Sequence, residues 1–411
     1  MKNLSVDKKT LQNMGVLVVI SIACFAVNYS GNIDNYNTTI LALNYTYGFT
    51  SRGLIGTVFL LLDRLLPFTL MNAWGSLRFY QLSTVVFLLI LFAFAYFILN
   101  RVKGVNHQET VAYLLIPLFI CVVTSFANEF NFGRIDMYMI ALSVLGAMLI
   151  VTKKAEWLVI VFSALGVMIH QGYVMMYFNI ILVLLFYQFC STEEKKEKIR
   201  YGAIFLISLV LASVLFLYFE LFSHAENGAQ IYDNVAAIAA NLAADHTYHE
   251  TLLAHEILGV DLSGVEHSMH MKNLAEIILF ILCILPYLLF ALRLFRNIYK
   301  RADRVGDKLK YLAIFLGSAT MLPDFLIKVD YGRWVLAVVV YYFVIFACII
   351  TMDEVVANEV ETLMTDVKQK YIFWPFLMIY PVLFVPFLDV NIDQITAIIG
   401  HVLNREMLHW W

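Results

Sequence analysis

The sequence predicts an all-α polytopic integral membrane protein with about eleven transmembrane helices and interfacial helices in the first outer loop. Three observations predict it. Of 411 residues, 61% are hydrophobic and 14% charged, where a soluble domain carries roughly 25% charged residues. Apolar runs long enough to cross a bilayer recur, as in Leu82–Leu99, Tyr201–Phe222 and Val335–Thr351. Lysines and arginines gather in alternate connections between those runs.

In chain order the spans read as 14–30, 80–99, 110–127, 135–152, 157–170, 173–190, 201–222, 273–293, 311–327, 334–351 and 371–388. Val16–Val27 follows Lys2, Lys8 and Lys9 as a signal peptide would, but no small-x-small cleavage pattern closes it, so it is taken as the first span. With the N-terminus inside, the connections 100–109, 153–156, 191–200, 294–310 and 352–370 become cytoplasmic. They hold "NRVKG", "TKKAE", "STEEKKEKIR" and "RNIYKRADRVGDKLK", as the positive-inside bias requires. The expected home is a bacterial cytoplasmic (inner) membrane, with the N-terminus cytoplasmic and the C-terminus outside.

Two long connections then face outward within a single membrane domain, 1–411. In the loop 31–79, "GLIGTVFLLLDRLLPFTLMNAW" is interrupted by Asp63, Arg64 and Pro67 and suits helices lying in the interface, with Trp74 as an anchor. The loop 223–272 is polar and helix-prone and reads as a cap over an opening. No repeat or low-complexity tract stands out. The formal charge of −3 carries no basic excess for nucleic acid. Cys24, Cys121, Cys190, Cys283 and Cys348 lie in apolar segments, where neither a disulfide framework nor a thiolate metal site is readable.

The charges at outer span ends carry the chemistry. "SRGLIG" holds Arg52, "NEFNFGRIDMY" holds Glu129, Arg134 and Asp136, "IHQGY" holds His170 and Gln171, and "PDFLIKVDYGRW" holds Asp324, Lys328, Asp330 and Arg333. Burying such groups costs a few kcal/mol unless they are paired or wet, so their concentration on one side points to a single polar cavity. Arg52, Arg134 and Arg333 each adjoin a glycine, and an arginine fork matches phosphate oxygens. The plainer alternative is local pairing, Arg134 with Glu129 or Asp136 and Arg333 with Asp330. Asp34, just past the first span, suits a general base on a sugar hydroxyl or a ligand orienting a divalent ion, and equally a helix cap. His170 suits proton transfer or a structural hydrogen bond. The loop histidines, among them His246, His249 and His255, make no zinc motif and read as a solvated, pH-sensitive face. Tyr36, Tyr45, Tyr47 and Tyr331 fit a sugar platform or an aromatic belt.

A first span followed by a long outer loop with an early acid, then short outer loops bearing acids and arginines, resembles the GT-C superfamily of membrane glycosyltransferases. The large polar loop between later spans, with arginines at outer span ends, is similar to Wzy-type polysaccharide polymerases and O-antigen ligases. The resemblance implies transfer of sugars from an undecaprenyl (polyprenyl) phosphate or diphosphate to a glycan acceptor at the outer leaflet, building capsule, O-antigen or exopolysaccharide. By that resemblance Asp34 falls where GT-C enzymes place their first-loop catalytic acid, and Glu129 or Asp136 where a second-loop acid would lie; from its own position His170 is the reserve catalytic candidate. Arg52, Glu129, Arg134, Asp136, Gln171, Lys328, Asp330 and Arg333 would bind substrate. No cofactor is implied beyond an optional divalent cation. The first loop lacks the adjacent acidic pair common in GT-C enzymes and no soluble C-terminal domain follows, both of which favour the polymerase-like members. The rival expectation is a transporter or flippase of an anionic lipid or sugar.

Overall fold

A computed structural model describes residues 8–29, 31–102, 105–127, 132–222, 225, 227–260, 285, 288–323 and 331–370. Among the described residues the regular elements are all helical. They are α1 (Lys8–Asn28), α2 (Asn35–Ala42), α3 (Gly53–Leu65), α4 (Ala73–Arg101), α5 (Val105–Ala127), α6 (Asp136–Thr152), α7 (Leu158–Ile169) and α8 (Tyr173–Met176). Then follow α9 (Phe178–Ser191), α10 (Lys195–Phe222), α11 (Gly228–Leu242), α12 (Glu250–Leu258), α13 (288–301), α14 (Val305–Leu316), α15 (Tyr331–Ile350) and α16 (Glu354–Lys370).

Burial separates centre from rim. The apolar stretch of α15 is 100% buried and that of α5 94%, whereas α1 and α10 bury only 17% and 22% of theirs. Apolar side chains exposed on α1 and α10, such as Ile22, Val210 and Leu221, are what lipid-facing helices present. The helix α5 keeps Pro117 in its interior, tolerable where neighbouring helices surround the freed backbone. Contacts tie α1 to α5 and α4, α10 to α7 and α9, α14 to α9, and α15 to α5 and α6.

The ionic contacts sort to two ends of this bundle. At one end Lys9 pairs with Glu109, Arg200 with Glu156, Lys310 with Asp353, Arg301 with Glu359 and His107 with Glu361. These join the connections that the sequence assigns to one side. Asp353 also accepts from the hydroxyls of Tyr187 and Tyr311 at 2.6 and 3.0 Å, clamping α9 and α14 to the end of α15.

Several spans differ from expectation. Among the described residues five helices are long and apolar enough to cross a membrane: Lys8–Asn28, Ala73–Arg101, His107–Ala127, Lys195–Phe222 and Gly332–Ile350. Asp136–Thr152, Leu158–Ile169 and Phe178–Ser191 are apolar but shorter. The expected span 173–190 is broken at Tyr177, whose φ of −125° and ψ of −18° leave the helical region between α8 and α9. The expected span 311–327 leaves α-geometry after Leu316 and tightens into a 3-10 turn, Gly317–Met321. The connection 352–370 is itself largely the helix α16, a polar amphipathic helix held against α5 and α15 and tied down by the pairs Arg301–Glu359 and His107–Glu361. The expected span 371–388 and most of 273–293 lie outside the described residues.

Candidate functional site

At the other end of the bundle, the first loop, the starts of α6 and α15, the end of α7 and the helix α12 converge. Asp34 caps α2, its Oδ1 accepting the Tyr36 N–H at 2.8 Å, which is the capping role open to it from sequence. The loop then turns through a 3-10 helix at Tyr45–Tyr47 to Arg52, which stands in the left-handed region at φ 60°. A non-glycine residue held there is strained and stays only where its surroundings dictate it. What dictates it here is the side chain: Arg52 Nη1 is hydrogen-bonded to Glu256 Oε1, and Nη2 stands 3.3 Å from His170 Nε2. Its neighbour Ser51 donates to Gln171 Oε1.

His170 ends α7 in extended geometry, and its Nδ1 accepts the Gly172 N–H at 2.8 Å. In a neutral ring that acceptance assigns the proton to Nε2. His170 Nε2–H and an Arg52 guanidinium N–H then face the same region of the site.

Phe132, Gly133 and Arg134 lead into α6. Gly133 has φ 90°, and a Cβ there would lie 2.5 Å from the Tyr80 ring, so glycine is required twice over. Tyr80 donates to Asn37 O at 2.6 Å and Asn37 Nδ2 to Phe132 O at 3.1 Å, which locks the segment to α2. Arg134 thereby places its guanidinium 5.3 Å from the centre of the Tyr36 ring. Its Nη1 is buried without a hydrogen-bond partner. Asp136 does not pair with Arg134; it meets Arg333 from α15, with Nε 3.2 Å from Oδ1 and Nη2 3.1 Å from Oδ2. The local pairing of Arg134 with Asp136 is thus replaced by a pairing across helices.

Missed in the sequence were Glu256 and His249. In "ETLLAHEIL" the buried side of α12 is Leu252, Leu253, Glu256 and Ile257, so a carboxylate occupies a core position of a helical pattern, and that misplacement was its signal. Burial pushes the Glu256 carboxyl above its usual range, with Arg52 opposing. His249 is half-buried rather than solvated. It caps α12 by accepting the Leu252 N–H at 3.1 Å, donates its own N–H to Thr39 at 2.9 Å, and meets the Tyr36 ring edge-on at 5.4 Å. Burial pushes its imidazole below the usual range; Asp34 opposes this and the fields of Arg134 and Arg52 add to it. Arg52 in turn feels Arg333. The three arginines, far apart in sequence, therefore share one electrostatic neighbourhood.

Of the other expected site residues, Glu129, Lys328 and Asp330 lie outside the described residues. Among the described residues no three His, Cys, Asp or Glu side chains are grouped as metal ligands. No family profile, curated protein or solved structure matches the chain.

Proposed function

We propose that this chain is a membrane glycosyltransferase or polysaccharide polymerase that uses polyprenyl-(di)phosphate-linked sugars at the outer face of a bacterial inner membrane. The observation that carries the reading is Arg134: a guanidinium seated over Tyr36 with a buried, unpartnered Nη1, sharing an electrostatic neighbourhood with Arg52 and Arg333, whose charges Glu256 and Asp136 already answer. An uncommitted arginine among committed ones is suited to an anion that arrives and leaves. In this reading Arg134 holds the phosphate leaving group, Arg52 and His170 donate to it as well, and their fixed charges and dipoles stabilise the charge that grows as the glycosidic bond breaks. Asp34 Oδ1 is spent on its cap, so Oδ2 takes the proton of the acceptor hydroxyl. Tyr36 offers a face for the sugar, and α11 with α12 close over it. The test is transfer from a synthetic polyprenyl-linked sugar by purified protein. Arg134→Ala should eliminate product while the protein stays folded, and undiminished transfer would overturn the assignment.

A second reading, transport, has its own observation. The break at Tyr177 and the turn Gly317–Met321 face each other: Asn179 Nδ2 donates to Gly317 O at 3.0 Å, and Thr320 Oγ1 to Met175 O at 3.0 Å. Paired helix breaks are where transporters hold substrate. Here side chains already satisfy the loosened backbone, so the breaks are better explained as a sealed joint. Uptake of labelled sugar phosphate into proteoliposomes without any transfer product would favour transport.

A further inference from the structure

An apolar groove of about 490 Å³ lies between α1 and α4, with none of the three arginines in its lining. Its walls include Val18, Phe25 and Tyr29 from α1, and Val85, Leu88 and Phe92 from α4. Eleven residues separate Val18 from Tyr29, and as many separate Gln81 from Phe92, so the groove runs roughly 16 Å along the helices. Its outer side is not covered by the described residues: Ile22 and Val85, both lining it, are 63% and 52% exposed. Between two lipid-facing helices a slot of this kind holds a hydrocarbon chain.

One end of the groove is different. There Gln81 donates to the Tyr29 hydroxyl at 2.8 Å, and Phe132 closes against Tyr29 with ring centres 5.2 Å apart. Phe132 begins the locked turn whose third residue is Arg134. The lining of the slot thus reaches Phe132, two residues before a cation with an unpartnered buried N–H. The occupant that satisfies both ends is a long single chain carrying a terminal phosphate.

Resting on the function proposed above, we infer that the groove between α1 and α4 holds the first part of the polyprenyl chain of the lipid carrier, with its phosphate at Arg134. The full-length protein in nanodiscs provides the test, with Ala26→Trp and Val85→Trp combined to fill the groove from its exposed side. Wild type should bind a long-chain polyprenyl phosphate at least about tenfold more tightly than a short-chain, water-soluble prenyl phosphate. The double variant should lose that preference and keep its affinity for the short compound. A preserved preference in the variant overturns the groove while leaving the phosphate site standing, as does equal competition by phosphatidylglycerol, which would make the slot a general lipid site. If wild type binds neither phosphate, the functional reading fails and the chain is judged separately. A photoreactive polyprenol without phosphate should then label residues 81–92 in wild type and not in the variant, and absence of that label overturns the groove.

Discussion

Arg333 and Asp136 pair across 197 residues of chain through one hydrogen bond, Nε to Oδ1, and a close ionic contact, Nη2 to Oδ2, and both are almost completely buried: the side-chain exposures are 8% and 0%. Tyr177 adds a longer contact to the same carboxylate at 3.4 Å, so three helices meet at one charge pair. Taking two charges out of water repays its desolvation only with good geometry, and removing one partner leaves a bare charge behind.

Asp136→Ala should therefore destabilise the protein by about 3–5 kcal/mol, a loss measured by thermal unfolding in detergent. Replacing both residues with apolar ones, Asp136→Leu with Arg333→Met, should recover most of that stability. A single variant as stable as wild type would mean that the pair is solvated in the membrane.

Arg134 is expected to behave in the opposite way. Its contact with Tyr36, at a partly buried site, is worth about 1–2 kcal/mol, so Arg134→Ala should unfold nearer to wild type than Asp136→Ala does while losing transfer. Arg134→Lys should restore little, because a point charge does not reproduce the planar fork. Full activity in the lysine variant would reduce the role of Arg134 to charge alone.

Gly133→Ala tests how Arg134 is held. The substitution forces a side chain into the left-handed region and against the Tyr80 ring, at a cost of about 1–3 kcal/mol. The Arg134 guanidinium would shift with it, so KM for the donor should rise even in the fraction that remains folded. An unchanged KM would separate the glycine's packing from the site.

His249 makes the cap sensitive to acid. Its folded-state pKa lies below the ordinary value of 6.5, so folding favours the neutral ring. That contribution is present above pH 6.5 and is lost as pH falls from 6.5 toward the lowered value. Hydrogen exchange in α12 should therefore quicken across that window. His249→Asn keeps a capping side chain without the titration and should flatten the profile. Glu256 works in the other direction: with its pKa raised above 4.5, its share of stability falls as pH rises from that value, and Glu256→Gln should remove this slope.

The class of fold was legible because membrane helices are written in composition and length, and because the lysines and arginines mark alternate connections. The gathering of Arg52, Arg134 and His170 at one end followed from the same parity. What stayed hidden was pairing across helices. Nothing in "FGRID" says that Asp136 answers Arg333 rather than Arg134, since that depends on how α6 and α15 rotate against each other. The break at Tyr177 was equally silent, because an apolar run reads alike whether or not its backbone is continuous. Glu256 could have been found, since an acid on the apolar stripe of a helix implies a buried cation.

The twelve residues of α7 give a strut of about 18 Å in a hydrocarbon slab of about 30 Å, while the 28-residue α10 beside it measures about 42 Å. Phe49 rests against Tyr218 and Phe219 of that taller helix, and the loop between it and Arg52 roofs the short one. His170 therefore stands at the end of a helix too short by itself to cross that slab. A mismatch of this size between neighbouring helices is accommodated by tilting the long one or by thinning the bilayer locally around the short one.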